Sequence, residues 1–276
     1  MNAIFGWLLG LGVLALALAL FLVLSAACEA GFQFGLMRGR RATPDDHDHA
    51  ITATLTSGML ALLAFILGLT VNYAQGRFEA RRDLVVTEAN AIGTAWLRAR
   101  LVGGPEGEAI AADIRQFAQT RLEFTQAGRD GPVEALNERT SEEAADIWSH
   151  ATAAARAAPT PIMATLLNAL NEMIDSAQAQ RFAFLGEPPG AMLDFMMLGS
   201  ILAIGAMGYE MGLRGGRQLV LSSLLLLMWT GAIVMTVDLN RPRVGMARTD
   251  ARPIEWTIRD IDAATKAQPA APSPTP

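Results

Sequence analysis

The chain has 276 residues, of which 51% are hydrophobic and 18% charged, and its mean hydropathy is +0.28. This composition is too apolar for an ordinary soluble domain, and the net charge of -5 gives no basis for nucleic-acid binding. The single cysteine, Cys28, excludes an intrachain disulfide and a multi-cysteine metal site.

Four apolar blocks predict four transmembrane helices, since about 20 apolar residues cross a hydrocarbon core of about 30 Å. We place these helices at residues 1–28, 51–75, 191–213 and 218–238. A cleaved signal peptide is the alternative for the first block. That block has no basic n-region and its apolar core is longer than a signal peptide needs, so a retained helix is favoured.

Residues 29–50 are predicted to form a short polar loop between the first two spans. The loop contains DDHDH, and carboxylates and imidazoles this close together are weak candidates for a divalent-cation site: Asp45, Asp46, His47, Asp48 and His49. The favoured interpretation is a solvated loop that caps the second span, because acidic groups are favourable at a helix N-terminus. No bound metal or cofactor is expected.

Residues 76–190 are predicted to be helical throughout and cytoplasmic. Apolar residues recur there at helical spacing, and breaks at 128–132 and 160–161 divide the region into helices that could form a small bundle. More arginines flank the spans on this side than in the short loops, which favours cytoplasmic termini as well. A C-terminal segment, 239–262, follows the last span, and the Pro/Ala-rich tail, 263–276, is predicted to be disordered.

The second span is predicted to continue into water as one helix, because RFEARRDLVVTEANAIGTAWLRARL has no breaker before Gly103. At 100° per residue, one side of this continuation is an apolar stripe that the bundle can cover: Phe78, Val85, Ala89, Ile92, Trp96 and Ala99. The other side is small or polar and lines up with a similar face of the span. We call this set the small-and-polar face: Thr54, Gly58, Ala61, Phe65, Gly68, Asn72, Glu79, Asp83, Thr87, Asn90 and Thr94.

The small-and-polar face has two interpretations. In the first, its small residues pack against a neighbouring helix and its lower part faces water, which periodicity alone favours. In the second, several copies of the helix surround an axis and the face lines an aqueous path. Arg81 or Arg98 would then supply positive potential near an entrance, whereas Glu79 and Asp83 argue against a strong anion preference.

Other polar groups have mainly structural interpretations. Glu88 is predicted to pair with Arg81, Arg241 or Arg243, as a clamp between the second helix and the segment after the last span. Asp194 is expected to cap the third span. The sequence contains no nucleophile elbow, phosphate loop or zinc motif, so we expect no enzymatic activity.

The third span ends with a helix-packing signal. Gly208 and Gly212 have the GxxxG spacing, which brings two helix backbones close together in membrane proteins. This spacing predicts a close helix–helix contact at that end of the span.

Two motifs resemble a known family. They are EANAIGT and DLNRPRVG, and the residues that match are Glu88, Ala89, Asn90, Gly93, Thr94, Asp238, Arg241, Pro242 and Gly245. With the four-span layout, they resemble the bestrophin-like family of uncharacterised bacterial and plant membrane proteins. Asn240 departs from the pattern, since an acidic residue is more usual there.

The resemblance implies a layout similar to that of bestrophins, which are pentameric anion channels. Bestrophins have four spans, cytoplasmic termini and a long helical insert between spans two and three, and their second span and its continuation line the pore. The implied protein is all-α, embedded in the lipid bilayer of the bacterial inner membrane, homo-oligomeric, and conducts small ions, by analogy anions. The alternative is a membrane-anchored scaffold or sensor whose helical cytoplasmic domain binds a partner protein.

Overall fold

The computed structural model describes residues 12–41, 46–128, 131–186, 190–243 and 245–267. Every helix or strand assigned in these ranges is an α-helix, which confirms the all-α class. The helices are α1 Val13–Arg41, α2 Asp46–Val102, α3 Gly104–Gln126, α4 Val133–Ala157, α5 Pro161–Leu185, α6 Gly190–Leu213, α7 Leu219–Leu239 and α8 Arg252–Ala267.

Four of the helical stretches that the structure describes are long and apolar enough to cross a membrane. They are α1, α2 from His49 onward, the stretch that contains α6, and α7. Each overlaps one of the four spans predicted from the sequence. The chain divides into two compact units, and α2 contributes residues to both.

The first unit contains α1, α2 as far as Arg77, α6 and α7. Its closest helix contact is between α1 and α6, where the two backbones touch at glycines. A Cβ atom added to Gly31 would overlap the carbonyl oxygen of Gly205, and one added to Gly208 would overlap that of Cys28. Gly212 makes the same kind of contact, so the packing role predicted from GxxxG is confirmed.

The predicted loop at 29–50 is wrong at both ends, because α1 continues to Arg41 and α2 begins at Asp46. Gly31 and Gly35 keep this extension in contact with the backbone of α6. The extension is also held by Glu29, whose carboxylate accepts from Nη1 and Nη2 of Arg217 at 3.0 and 2.9 Å. The guanidinium of Arg217 lies 4.2 Å from the ring centroid of Phe32. The last turn of α1 is basic, which is favourable at a helix C-terminus.

The second unit contains α2 from Phe78 onward, α3, α4, α5 and α8. The apolar stripe of α2 lies in its core, as predicted: Val85, Ala89, Ile92, Trp96 and Ala99 are buried, and Phe78 is half-buried. These side chains share one cluster with Ile114 and Phe117 of α3 and Leu166 and Leu170 of α5. Burying each large apolar side chain contributes about 1.5–3 kcal/mol of transfer free energy, and these contributions stabilise the bundle.

Helix α8 was not predicted from the sequence. It extends to Ala267, so the predicted disordered tail, 263–276, is wrong for residues 263–267, while 268–276 lie outside the described residues. Ile254, Ile258 and Ile261 are buried in the core of the second unit. Their i, i+4, i+7 spacing is the signal that would have identified an amphipathic helix here. Arg115 of α3 also holds α8, through two hydrogen bonds to Asp262 of 2.6 and 3.1 Å.

Candidate functional site along helix α2

Helix α2 is a single helix of 57 residues, Asp46–Val102. At 1.5 Å per residue it is about 85 Å long. The stretch contains no proline, and it ends where Gly103 and Gly104 take positive φ angles of 69° and 65°. Those angles are left-handed and interrupt the helix, whereas Pro105 suits the first turn of α3. The predicted continuation of the second span is therefore confirmed as one helix.

The part of the small-and-polar face that belongs to the first unit is uncovered. Thr54, Gly58, Ala61, Phe65, Gly68 and Asn72 are all exposed. In the described part of the chain, nothing lies within 4 Å of a Cβ atom built on Gly58 or Gly68. The helix instead uses other residues for contacts within the unit, such as the buried Leu63 and Leu67. Helix packing within one chain therefore does not account for these small residues.

The part of this face that belongs to the second unit is also open. Glu79, Asp83, Thr87 and Asn90 are exposed, and Thr94 is half-buried. The Thr87 hydroxyl donates to its own helix, to the carbonyl oxygen of Asp83 at 2.9 Å. The exposed row is polar, whereas the opposite stripe is buried, so the division of α2 into two sides follows the predicted periodicity.

The arginines expected to give this face a positive potential are less exposed than its acidic residues. Arg81 is only 2% exposed. Arg98 is half-buried, and its Nη1 donates to the carbonyl oxygen of Thr165 at 2.7 Å. Arg82 is exposed but is turned about 100° from Asp83 around the helix. The exposed acidic residues of the open row are Glu79 and Asp83.

Behind the open row, a buried polar cluster ties α2 to α3 and α5. Arg121 of α3 donates from Nε to Oε1 of Glu88, with exposed fractions of 1% and 0% for the two side chains. Nη2 of Arg121 also donates to Oε1 of Gln180 on α5. Gln180 in turn donates to the hydroxyl of Thr125 at 3.3 Å. The guanidinium of Arg121 also lies 4.4 Å from the ring centroid of Phe124.

Glu88 was predicted to pair with Arg81, Arg241 or Arg243, whereas the ion pair seen here is with Arg121. Burial raises the pKa of the Glu88 carboxyl group, while the charge of Arg121 and its hydrogen bond lower it. A pair enclosed on every side has no access to a passing ion. Its role is to fix the rotation of α2 against α3. The predicted clamp between α2 and the segment after the last span is therefore wrong for this glutamate, whose partner lies on α3.

The EANAIGT motif combines a buried half and an open half. Thr257 of α8 donates to the carbonyl oxygen of Ala89 at 3.3 Å. A Cβ atom on Gly93 would lie 3.5 Å from Cγ2 of the same threonine, so small residues let α8 approach α2 here. Asn90 is exposed on the other side. The motif therefore places α8 against the back of the same helix turns whose front carries the open row.

The DLNRPRVG motif folds the chain into a tight turn after α7. Asp238, 8% exposed, accepts from the backbone N–H of Met246 at 3.1 Å and of Ala247 at 3.0 Å. Gly245 has a φ of 111°, and a Cβ atom there would overlap Oδ1 of Asp238. Asn240 donates from Nδ2 to the carbonyl oxygen of Thr236 at 2.9 Å, so it continues the helix end. The motif residues Asp238 and Gly245 thus have a structural role.

These motifs and the helix order match those of a known family. The sequence fits the family model of the Bestrophin-like domain over residues 21–254. The chain belongs to the bestrophin-like family. The structure of this bestrophin-like protein is similar to the crystal structure of a bacterial bestrophin homolog from Klebsiella pneumoniae, solved as a point mutant. The TM-score is 0.64 at 13% sequence identity, with 87% of this chain and 98% of the other covered. No curated protein matches the sequence.

The weak metal-site candidates of the bestrophin-like chain fall mostly outside what the structure describes. Asp45 lies outside the described residues, and only the backbone of Asp46, His47 and Asp48 is described. His49 lies in the first turn of α2. Among the described side chains, no group of three possible metal ligands comes together.

Proposed function

We propose that this bestrophin-like protein is a homo-oligomeric ion channel of the bacterial inner membrane, and that copies of α2 line its conducting path. Both termini and residues 76–190 are placed in the cytoplasm in this proposal. The observation that carries it is the small-and-polar face, which is open along α2 from Thr54 to Asn90. Family membership supports it, since the resemblance to bestrophins implies that the second span and its continuation form a pore.

The composition of the open face supports an aqueous environment. A face exposed only to lipid would be expected to carry large apolar residues, whereas Gly58, Ala61 and Gly68 leave the helix backbone accessible. Asn72 and the acidic residues beyond it are exposed polar side chains, which suit an aqueous surface better than lipid. Several copies of α2 around one axis would place this surface in water. Phe65, which is 64% exposed, is then the large side chain that would narrow the path.

The charge of the open row bears on the ion. The resemblance implies anions, but Glu79 and Asp83 are exposed on this row while Arg81 is buried. A ring of carboxylates attracts cations, and each copy in an oligomer would add two. We therefore propose that the path conducts small ions and that its acidic part favours cations over anions.

The decisive experiment combines oligomeric state with ion flux. Purified protein should be a ring-shaped oligomer and should conduct in liposomes. Asn90→Leu and Thr94→Leu should reduce the conductance, because both substitutions place an apolar side chain on the proposed path. Ser149→Leu, at an exposed position of α4, is the control and should leave it unchanged. A monomer without flux, or unchanged conductance in both α2 variants, would refute the proposal.

A second candidate function is a membrane-anchored scaffold or sensor. Phe182 and Leu185 near the end of α5 favour it, because they are 82% and 47% exposed and could contact another protein. Phe182→Asp should then abolish co-purification of one specific protein while oligomeric state and flux are retained. If Phe182→Asp instead dissociates the oligomer, these side chains belong to the contact between copies.

A further inference from the structure

A cavity of about 710 Å³ lies in the second unit, and none of its lining residues belongs to the small-and-polar face. Its walls are the end of α3, the segment after α7 and the start of α8, and its lining comprises residues 125–128, Pro242, Arg243, residues 248–252 and Glu255. This volume falls within the range of about 300–1,000 Å³ that small-molecule sites occupy. No catalytic or conducting role described above uses these residues.

Arg243 is the most unusual group in the wall. Its guanidinium lies 4.5 Å from the ring centroid of Phe124 and 5.3 Å from that of Phe184. Nη1 donates to the carbonyl oxygens of Phe124 and Ala127 at 2.8 and 3.2 Å. Nη2 is buried, and among the described residues it has no hydrogen-bond partner. A buried donor without an acceptor is costly, so an acceptor from outside the chain would stabilise it.

The charge of Arg243 is also uncompensated by the described residues. Burial and the nearby charge of Arg121 lower the pKa of Arg243 to about 10, so the side chain is still cationic at neutral pH. Arg121 itself is neutralised by Glu88. Placing two guanidinium groups near one carboxylate leaves one positive charge in this part of the unit, which favours an anion.

The two acidic residues of the lining already have partners. Asp250 accepts from the backbone N–H of Arg252 at 3.0 Å and from its Nε at 2.6 Å. Glu255 accepts from Nε2 of Gln126 at 2.6 Å. Arg248 is exposed at the rim. The lining thus contains three arginines and two acids, and the acids are engaged with neighbours other than Arg243.

Thr249 provides a second, independent indication of a ligand. It lines the cavity and is only 8% exposed, yet its hydroxyl has no hydrogen-bond partner in the described part of the chain. Buried hydroxyl groups are normally satisfied. Two residues that line one cavity therefore each carry a buried donor without a partner among the described residues.

We propose that this cavity binds an oxyanion, the phosphate or carboxylate group of a small molecule or of a lipid, through Arg243, Thr249 and Arg248. The oxyanion accepts hydrogen bonds from Nη2 of Arg243 and the hydroxyl of Thr249, and Arg248 attracts it at the rim. Guanidinium groups suit this task because their donors match the geometry of carboxylate and phosphate. The proposal does not depend on ion conduction and would hold for a scaffold as well.

The test is a binding titration on the full-length protein in a nonionic detergent. Inorganic phosphate is added at constant ionic strength, and binding is followed by calorimetry and by the rise of the unfolding temperature. Arg243→Gln should weaken phosphate binding by about tenfold or more, because it removes a charged donor. Thr249→Val should weaken it by about fivefold while the unfolding temperature without phosphate is unchanged or higher, since the hydroxyl has no partner to lose.

Two substitutions outside the cavity serve as controls. Arg156→Gln removes an exposed arginine of α4, and Thr265→Val removes an exposed hydroxyl of α8. Both should bind phosphate like the unchanged protein. The proposal would be overturned if the unchanged protein showed no saturable binding. It would also be overturned if Arg243→Gln and Thr249→Val both bound phosphate as tightly as the unchanged protein.

Three further probes distinguish the sources of the oxyanion. Succinate tests a carboxylate in place of phosphate. Short-chain phosphatidic acid in mixed micelles tests a lipid headgroup, with phosphatidylcholine micelles as the uncharged comparison. A soluble phosphomonoester tests a phosphorylated metabolite. Displacement of phosphate by phosphatidic acid but by neither soluble probe assigns the site to a lipid. Displacement by succinate or by the phosphomonoester assigns it to a metabolite.

Discussion

Nε of Arg121 donates to Oε1 of Glu88, and this ion pair between α3 and α2 is excluded from solvent, with exposed fractions of 1% and 0%. Gln180 satisfies a further donor of the same guanidinium. The pair lies behind the turns of α2 that present Thr87 and Asn90 to the outside. Together with the buried apolar stripe, it therefore fixes which side of α2 faces outward in the second unit.

Breaking this pair on one side should be strongly destabilising. Glu88→Gln or Arg121→Met removes one charge and leaves the other buried without a counter-charge, at a cost of about 3–5 kcal/mol. The double variant Glu88→Leu/Arg121→Met should be less destabilised than either single variant, because no unpaired charge is left. Thermal unfolding of the detergent-solubilised protein measures the order of stability of these variants.

Arg115→Met provides the matched comparison for this prediction. It breaks the pair with Asp262, in which the side chains are 46% and 37% exposed. An exposed pair contributes little to stability, so the unfolding temperature should change only slightly. Equal losses in Arg115→Met and Arg121→Met would show that burial does not set the importance of the Glu88 pair.

The turn after α7 should depend on Gly245. Gly245→Ala places a Cβ atom on Oδ1 of Asp238 and forces a side chain into a φ of 111°, so the hydrogen bonds from Asp238 to Met246 and Ala247 should be lost. We expect a lower yield of monodisperse protein and a lower unfolding temperature. Gly216→Ala is the control, since nothing lies within 4 Å of its Cβ position. Similar behaviour of the two variants would contradict a structural role of the motif.

Much of α2 could be predicted from the sequence because the determining signals are local. A period of 100° per residue is a property of any α-helix, so it placed Val85 and Ile92 inside and Asp83 and Asn90 outside. The absence of a breaker before Gly103 gave the end of the helix to within two residues of Val102. The GxxxG spacing in the third span was informative for the same reason.

The partners of polar side chains could not be predicted from local sequence signals in the same way. Several arginines could have reached Glu88, and only the packing of α3 against α2 selects Arg121, 33 residues further along the chain. The length of α1 was also missed, since Gly31 and Gly35 are informative only once α6 is known to lie against them. The cavity around Arg243 depends on α8. The isoleucine spacing of α8 was present in the sequence but was not interpreted as an amphipathic helix.

The glycines of α1 and α2 should respond differently to substitution. Gly35→Ala should disrupt the first unit, because its Cβ would overlap the carbonyl oxygen of Tyr209. Gly58→Ala should leave the stability of the single chain unchanged, because its Cβ position is open. Unfolding temperature and detergent-resistant oligomer content measure the two effects separately. A loss of oligomer in Gly58→Ala without a loss of chain stability would assign that part of the face to contacts between copies.

The acidic residues of the open row should control ion preference. Glu79→Gln and Asp83→Asn each remove one exposed carboxylate per copy and keep the size of the side chain. At a separation of several ångströms in water, one charge changes the local free energy of an ion by somewhat less than ~1 kcal/mol, and in opposite directions for K⁺ and Cl⁻. Each variant should therefore lower the K⁺/Cl⁻ permeability ratio by about threefold or more. Reversal potentials across a KCl gradient in planar bilayers measure this ratio.

The control is Glu138→Gln, which removes an exposed carboxylate from α4 and should leave the permeability ratio unchanged. The effect should also weaken at high salt, because exposed charges are screened over about 3 Å at 1 M. An unchanged ratio in both α2 variants at low salt would mean that ions do not pass along this row, and the path would then have to be sought elsewhere on the chain.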